Sequence, residues 1–480
     1  MASWDELTAG TPQARPITAQ EVRQTIRDSR PDEVLVVLDD DPTGTQSIAG
    51  LPVLTAWEED DFRWAFSQDA PAVYVLTNSR SLGPAEAAAI TRQVVTVGAR
   101  VAAETGRAAV WVSRADSTLR GHFPLETTVM QEALGEPCGV VLLPAFPEVG
   151  RVTLGGVHYC RVGADYVPVG ESEFARDATF GYQSSALRDW IVEKSEGGIS
   201  AADVTVIGLE QLRTDPAGVA AAVESLGQGV LACDILTEED MRALSLALIQ
   251  AEAKGRRFVY RVGPPYVRAR IGQERRGALT PREVRETGHT AETDPRPSAP
   301  GGLVVVGSHV GVTQRQLATL KEAFPAEVVE IDVAQVIDPE RRESHLAQLI
   351  DEGVAALGRG TIIVQTSRKL VTKSDAAASL QLAREVSAAV VAVVRGVVER
   401  TLPTFVLAKG GITSSDTATK ALRIRHAIAV GSMLPGIVSL WMAEDGLATG
   451  VPYVVFPGNV GDENSLAEVV RTLQGAVGQA

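Results

Sequence analysis

The sequence predicts an α/β protein of two domains, each a mainly parallel sheet flanked by helices, with a cleft between the domains as the expected place for a ligand. Three observations lead there. Apolar runs of strand length alternate with helical stretches along most of the chain. Several of those runs stop at clusters of charged, hydroxyl or glycine residues in place of ordinary turns. Near the middle, the polar and proline-rich stretch LTPREVRETGHTAETDPRPSAPGG interrupts the alternation, which then restarts. At 480 residues the chain exceeds one typical core, so we expect an N-terminal domain over 1–280, a linker over 281–302 and a C-terminal domain over 303–480.

In the first domain, strand-like runs occupy 34–38, 73–76, 108–112 and 140–143. They are continuously apolar, as strands covered on both faces are. A helix is expected over 84–104, with Pro84 suited to its first turn. VTVIGL (204–209) and GVLACDI (229–235) bracket a helical segment containing Val219, Ala222 and Val223. After the linker come LVVVGSH (303–309), a helix from about Thr313, VVEIDV (328–333) and a helix over 340–356. TIIVQTS (361–367), a long helix over 375–400 and FVLAKGG (405–411) follow. The apolar stretch 427–443 is shorter than the ~20 residues of a spanning helix and contains Gly431, Pro435 and Gly436, so it reads as buried core.

Composition narrows the function. Sixty acidic residues against 45 basic ones give a formal charge of −15 with no basic stripe, which argues against nucleic acid as a partner. A chain 45 % hydrophobic and 22 % charged is an ordinary globular one. Cys138, Cys160 and Cys233 lie far apart without C-x-x-C spacing, so neither a disulfide framework nor a zinc site is signalled, which suits a reducing cytoplasm. The first residues, MASWDELTAGTPQARP, lack a basic start followed by an apolar core, and no secretory signal is expected. Small molecules are the expected partners, without nucleic acid or membrane, and with a homodimer as one admissible assembly.

Three junctions carry the chemistry of the first domain: VLVVLDDDPTGT (34–45), VWVSRADSTLRG (110–121) and VVLLPAFPEVGR (140–151). Parallel sheets bind ligands beyond the carboxyl ends of their strands, so the three should converge on one polar crevice. Asp39, Asp40 and Asp41 crowd three carboxylates, which repulsion disfavours unless a cation, donors or a substrate hydroxyl offsets it. Thr43 adds a hydroxyl in the turn that follows. One Asp before such a turn can simply cap a helix, whereas three together point to function. Arg114 and Arg120 flank Asp116, Ser117 and Thr118, and guanidinium forks suit carboxylates and phosphates. Arg151 closes the third junction.

The second domain is rich in glycine beside hydroxyls. Ser308 lies in GSH (307–309); Gly410, Gly411, Ile412 and Thr413 lie in KGGITSSD (409–416); Gly458, Asn459 and Gly461 lie in PGNVGDENS (457–465). Glycine lets a phosphate approach backbone N–H groups, and a hydroxyl opening the next helix adds a donor, so a nucleotide is expected here. Neither G-x-x-x-x-G-K-[ST] nor a G-x-G-x-x-G after a strand is present, which excludes a standard P-loop NTPase and a standard Rossmann dehydrogenase.

At these residues the sequence resembles the four-carbon acid sugar kinase family, a two-domain α/β group that phosphorylates tetronate-type sugar acids with ATP. Asp40-Asp41-Pro42-Thr43-Gly44 matches its D-D-x-T-G, residues 116–121 its D-S-T-L-R-G, and residues 144–151 its P-A-F-P…G-R. Gly307-Ser308, residues 410–413 and residues 458–461 resemble its nucleotide loops. Ile412 departs from the acidic residue many members carry there, and the unusually polar segment 169–185 looks like a subgroup feature. The resemblance implies a sugar-acid kinase using ATP and Mg²⁺. Asp40 or Asp41 would take the proton of the attacking hydroxyl, and one of them could hold the metal. Asp39, Thr43, Arg114, Asp116, Ser117, Arg120 and Arg151 would contact the sugar acid, Arg114 and Arg120 through its carboxylate. The rival readings are an oxidoreductase or aldolase of hydroxy acids, and a sugar-acid sensor without turnover.

Overall fold

Runs of Val, Ile and Leu with no polar face cannot rest at a water-facing surface, so they become strands enclosed by helices. The computed structural model describes residues 2–288, 294–307, 310–367 and 376–477 and divides into two units, Met1–Arg275 and Arg276–Ala480. In the first unit the strands are β1 (Glu33–Asp39), β2 (Leu51–Leu54), β3 (Ala72–Leu76), β4 (Ala108–Arg114), β5 (Gly139–Leu143), β6 (Arg151–Leu154), β7 (Val157–Val162), β8 (Asp165–Pro168), β9 (Val204–Ile207), β10 (Val230–Cys233) and β11 (Phe258–Val262). Eight of them form one parallel sheet in the order β2-β3-β1-β4-β11-β5-β10-β9. Strand β1 is buried at all seven positions, and a core containing Val36, Phe62, Val94, Trp111 and Trp190 packs about this sheet. As expected, Pro84 opens a long helix, Pro84–Thr105, which stops at Gly106 with φ +71°. Strands β6, β7 and β8 form a separate antiparallel meander.

The second unit holds β12 (Leu303–Val306), β13 (Glu327–Ile331), β14 (Ile362–Thr366), β15 (Val406–Lys409), β16 (His426–Leu434), β17 (Val438–Ala443) and β18 (Pro452–Phe456). The order β13-β14-β12-β15-β18 is parallel, and β17 and β16 continue it antiparallel. The stretch read as buried core is thus an enclosed hairpin, turned at Pro435 and Gly436, where Gly436 has φ +68°.

The expected linker is shorter than 281–302. Thr280 and Glu283 cap a helix, Pro281–Thr287, reciprocally, and Leu279 and Val284 are buried in the core of the second unit. One apolar residue on an otherwise polar turn leaves no periodicity for sequence reasoning to find. Among the described residues no helix is long and apolar enough to cross a membrane.

Candidate active site

Strand register decides what meets at the edge of the first sheet. Asp39, the last residue of β1, pairs with Leu76 of β3 and with Arg114 of β4, and Val262 of β11 pairs with both Arg114 and Leu143 of β5. The segments that leave these strands therefore start level with one another. β2 and β3 lie to one side of β1 and the later strands to the other, so the acidic trio sits at a topological switch point, where such sheets open a crevice.

The three aspartates occupy three different environments. Asp39 is enclosed beneath the turn that follows it: a Cβ on Gly44 would lie 2.0 Å from its carboxylate oxygen, so only glycine fits. Burial, reinforced by the neighbouring charges of Asp40 and Asp41, pushes its carboxyl up to about 7. Asp40 is equally enclosed and accepts from Arg80 Nε (3.0 Å), Arg80 Nη2 (2.6 Å) and Arg114 Nη1 (3.1 Å). Asp41 keeps 29 % of its side chain exposed, with Arg80 Nη1 3.5 Å away. It accepts from Thr43 N (3.0 Å) and Thr43 Oγ1 (2.5 Å). Burial would raise its carboxyl, but Arg80, Arg114 and the Thr43 donors outweigh burial and hold it below the usual range.

Two expectations need correction here. Arg114, expected to reach toward a ligand, is not open to solvent: its side chain is 3 % exposed and its Nη1 lies 3.1 Å from both Asp39 Oδ1 and Asp40 Oδ1. It is still inside β4, in register with Asp39, and the covered strand end turns it onto the chain's own carboxylates. Asp39, for the same reason of enclosure, faces Arg114 and not solvent. Thr43 commits its hydroxyl to Asp41.

The second junction folds back tightly through Leu119 (φ +68°) and Gly121 (φ +116°), and a Cβ on Gly121 would stand 3.3 Å from Asp40 Oδ2. Asp116 accepts from Arg120 Nε (2.8 Å) and from the Thr118 hydroxyl. Its carboxyl stays well below the ordinary range because Arg80 and Arg120 outweigh its burial. Ser117 Oγ accepts from Arg151 Nη1 at 2.8 Å, which joins the second and third junctions. Below them His158 lies with Nε2 2.9 Å from the Ser117 carbonyl and Nδ1 3.0 Å from Thr153 Oγ1, and burial pushes it down to about 4. Arg120 and Arg151 are the predicted arginines that remain partly open to solvent.

Two further arginines escaped sequence reasoning. Arg80 clamps Asp40 and Asp41 from the turn after β3, and VYVLTNSRS (73–81) carries the same strand-then-polar signal as the three junctions. Arg261, inside β11, donates to the Arg120 carbonyl at 3.0 Å, while its buried Nη1 has no hydrogen-bond partner among the described residues. A charge within the short run FVYRV is the one hint the sequence holds.

In the second unit Val306 pairs with Lys409, and Lys409 with Phe456, so β12, β15 and β18 end level. Their exits are Gly307, Gly410 and Pro457. A Cβ on Gly307 would lie 2.2 Å from Thr413 Oγ1, so the first exit packs on the start of the helix Gly411–Asp416. Gly410 has φ +118°, no Cβ contact closes over Gly411, and Ile412 is 68 % exposed. Gly458, Asn459 and Gly461 follow β18, with Gly461 at φ +79°. The loop is held by Thr313 Oγ1 on Gly458 O (3.0 Å) and by Gln316 Nε2 on Val460 O (3.0 Å) and Asp462 O (2.7 Å). Ser308 lies outside the described residues.

Lys409, the last residue of β15, points into the unit and not into solvent. It is fully buried, donates to Pro457 O (2.7 Å) and Gly458 O (3.2 Å), stands 4.1 Å from the Phe456 ring centre, and burial lowers it to about 7. Among the described residues no group of three or more His, Cys, Asp or Glu is placed to hold a metal ion. Arg80 and Arg114 lie against the carboxylates of the acidic trio.

A family model of a sugar-binding N-terminal domain matches residues 35–270, and one of a nucleotide-binding C-terminal domain matches residues 303–466. The chain is similar to D-erythronate kinase of Heliobacterium modesticaldum (25 % identity, over 66 % of this chain and 67 % of that one). It is similar to D-threonate kinase of Salmonella typhimurium (26 %, over 70 % and 72 %) and to D-threonate kinase of Bordetella bronchiseptica (26 %, over 85 % and 87 %). Its fold resembles crystal structures of a Salmonella typhimurium LT2 protein described as a tRNA synthase (TM-score 0.65, 19 % identity, 91 % of this chain and 98 % of that one) and of a Haemophilus influenzae protein (TM-score 0.60, 18 %, 91 % and 100 %). Together the two domain models cover most of the chain in order, one on each unit, and the chain belongs to the four-carbon acid sugar kinase family.

Proposed function

We propose that the protein is an ATP-dependent kinase that phosphorylates a hydroxyl of a small sugar acid of the four-carbon type. One observation carries the reading. The switch-point edge of the first sheet presents a single solvent-facing carboxylate of the trio, Asp41, in a cluster that also offers the partly open guanidiniums of Arg120 and Arg151. That set matches a ligand with an anion at one end and a hydroxyl to be deprotonated at the other. The kinase names of the relatives supply the reaction, and tetronates the substrate class.

Asp41, ionised throughout the working range, orients the attacking hydroxyl and accepts its proton as the phosphoryl bond forms. A weakly basic carboxylate suffices because the transition state of phosphoryl transfer is loose. Asp40 serves as the anchor that keeps Arg80 and Arg114 in place. Arg120 and Arg151 take the substrate carboxylate, with Asp116 and Ser117 setting their orientation. In the second unit the backbone N–H groups around Gly307, Gly410, Gly411, Thr413 and Gly458 to Gly461 take the nucleotide phosphates. In this reading Mg²⁺ would enter with the nucleotide substrate, where it would supply electrostatic neutralisation of the transferring phosphate. Transfer requires both ligands to meet with water excluded, which a domain closure would achieve.

The test is ADP release measured across D-threonate, D-erythronate, their oxo acids and related hydroxy acids with MgATP. Saturable turnover of one four-carbon acid is expected. A panel without ADP release on any acid overturns the kinase reading in favour of a binding protein, and nicotinamide absorbance changes with an acid favour an oxidoreductase.

A further inference from the structure

The polar segment 169–185 has so far taken no part. It leaves β8 at Pro168 and returns over the second and third junctions, where Tyr182 donates its hydroxyl to the Thr118 carbonyl at 2.6 Å. Two of its residues address the guanidiniums that reach solvent. The Phe174 ring centre lies 5.2 Å from Arg120 Cζ and 5.4 Å from Arg151 Cζ, so one aromatic ring lies against both cations. Asp177 Oδ2 lies 3.5 Å from Arg120 Nη1. Asp177 is itself fixed, since one of its oxygens accepts from Thr179 N (2.9 Å) and Phe180 N (3.0 Å), and those backbone donors with Arg120 hold its carboxyl below the ordinary range.

Two like charges gathered at one ring repel each other unless anions lie around them. Asp116 supplies one on the buried side of Arg120, and Asp177 supplies one where solvent enters. Resting on the proposed sugar-acid kinase reading, we propose that Phe174 and Asp177 are the specificity-determining residues of the acid site. Phe174 holds Arg120 and Arg151 convergent on one carboxylate, and Asp177 is a resident counter-ion that restricts the site to monoanions. A single carboxylate can shift Asp177 aside or share Arg120 with it. A four-carbon dicarboxylate, or an acid already phosphorylated, brings a second negative charge into a space that Asp177 and Asp41 already occupy with theirs.

The experiment is calorimetric titration of the full chain, without nucleotide, with D-threonate, D-erythronate and L-tartrate, on the wild type and on Asp177→Asn and Phe174→Leu. Asn retains the acceptor oxygen of the Thr179–Phe180 turn, so Asp177→Asn removes charge while keeping the loop. It is expected to tighten the monocarboxylate by about threefold and tartrate by roughly tenfold, narrowing the preference. Phe174→Leu is expected to weaken all three acids by roughly tenfold, and in turnover assays to raise the KM of the acid while kcat changes by less than about twofold. Binding by the wild type with an unchanged tartrate-to-threonate ratio in Asp177→Asn overturns this inference and leaves the kinase reading standing. A wild type that binds none of the acids overturns both. Unaltered affinity in Phe174→Leu removes the ring from the proposal.

Discussion

Asp39 should cost the fold stability at neutral pH, and replacing it by asparagine should return that stability in a pH-dependent way. Its carboxyl is buried beneath Gly44 and raised from 3.8 to about 7. A carboxyl raised on folding stabilises the folded state below its unfolded value, and that contribution is lost as pH climbs to the folded value. Over this interval the loss is about 1.4 kcal/mol per pH unit, or about 4 kcal/mol in all. Asn keeps the shape of the protonated acid and does not titrate. The stability of Asp39→Asn relative to wild type should therefore rise steadily from pH 4 to pH 7 and level off above. Urea unfolding followed by tryptophan fluorescence suits the measurement, because Trp4, Trp57, Trp64, Trp111 and Trp190 belong to the first unit and only Trp441 to the second. A difference that does not change with pH would refute the reasoning, as would a variant less stable than wild type at pH 8. Either result would mean that the Arg114 attraction at 3.1 Å outweighs burial, and that Asp39 is charged throughout.

Three other outcomes follow from the site. Asp41→Asn should lower kcat by about 10² to 10⁴, the range for a lost proton acceptor, with the KM of the sugar acid much less affected; steady-state kinetics on the responsive acid decide it. Lys409→Met keeps the buried stem but drops the donors to Pro457 O and Gly458 O, so the loop after β18 loosens. The nucleotide KM should rise roughly tenfold, with the KM of the acid unchanged, and equal effects on both ligands would contradict the assignment of that loop. His158, lowered from 6.5 to about 4, contributes stability that is complete above pH 6.5 and lost as pH falls toward 4, about 3 kcal/mol in all. Asp39 runs the opposite way over the same range, so the comparison belongs in the Asp39→Asn background, where a further His158→Gln change should flatten the acid loss of the urea midpoint.

What the sequence disclosed is set by how local its cause is. Runs such as VLVVL and VVLL are enclosed strands whatever surrounds them, and polar clusters at their ends mark the binding edge because parallel strands in register finish together. That Asp41, Asp116, Ser117, Arg120 and Arg151 gather at one edge was legible for that reason. The hairpin of β16 and β17 was legible only as buried apolar chain, since both its strands are enclosed and neither alternates. Arg80 and Arg261 come from β3 and β11, neighbours of β1 and β4 through sheet order alone, and no spacing along the chain connects them to an aspartate.

The division of labour between Arg114 and Arg120 shows the limit most sharply. Both flank D-S-T-L, both carry the same fork, and sequence reasoning assigns both to the ligand. Arg114 remains in β4 opposite Asp39, and burial forces it onto buried carboxylates, because an unpaired charge there would cost several kcal/mol. Arg120 lies beyond the reversal at Leu119, where its guanidinium reaches solvent and meets Phe174 and Asp177. Six residues and one positive φ separate a charge enclosed among carboxylates from one that reaches solvent. The consequence for selectivity is that, on the proposed kinase reading, substrate preference should follow changes at Phe174 and Asp177, which lie against partly open arginines, more than changes at Asp39 or Arg114, whose side chains are enclosed.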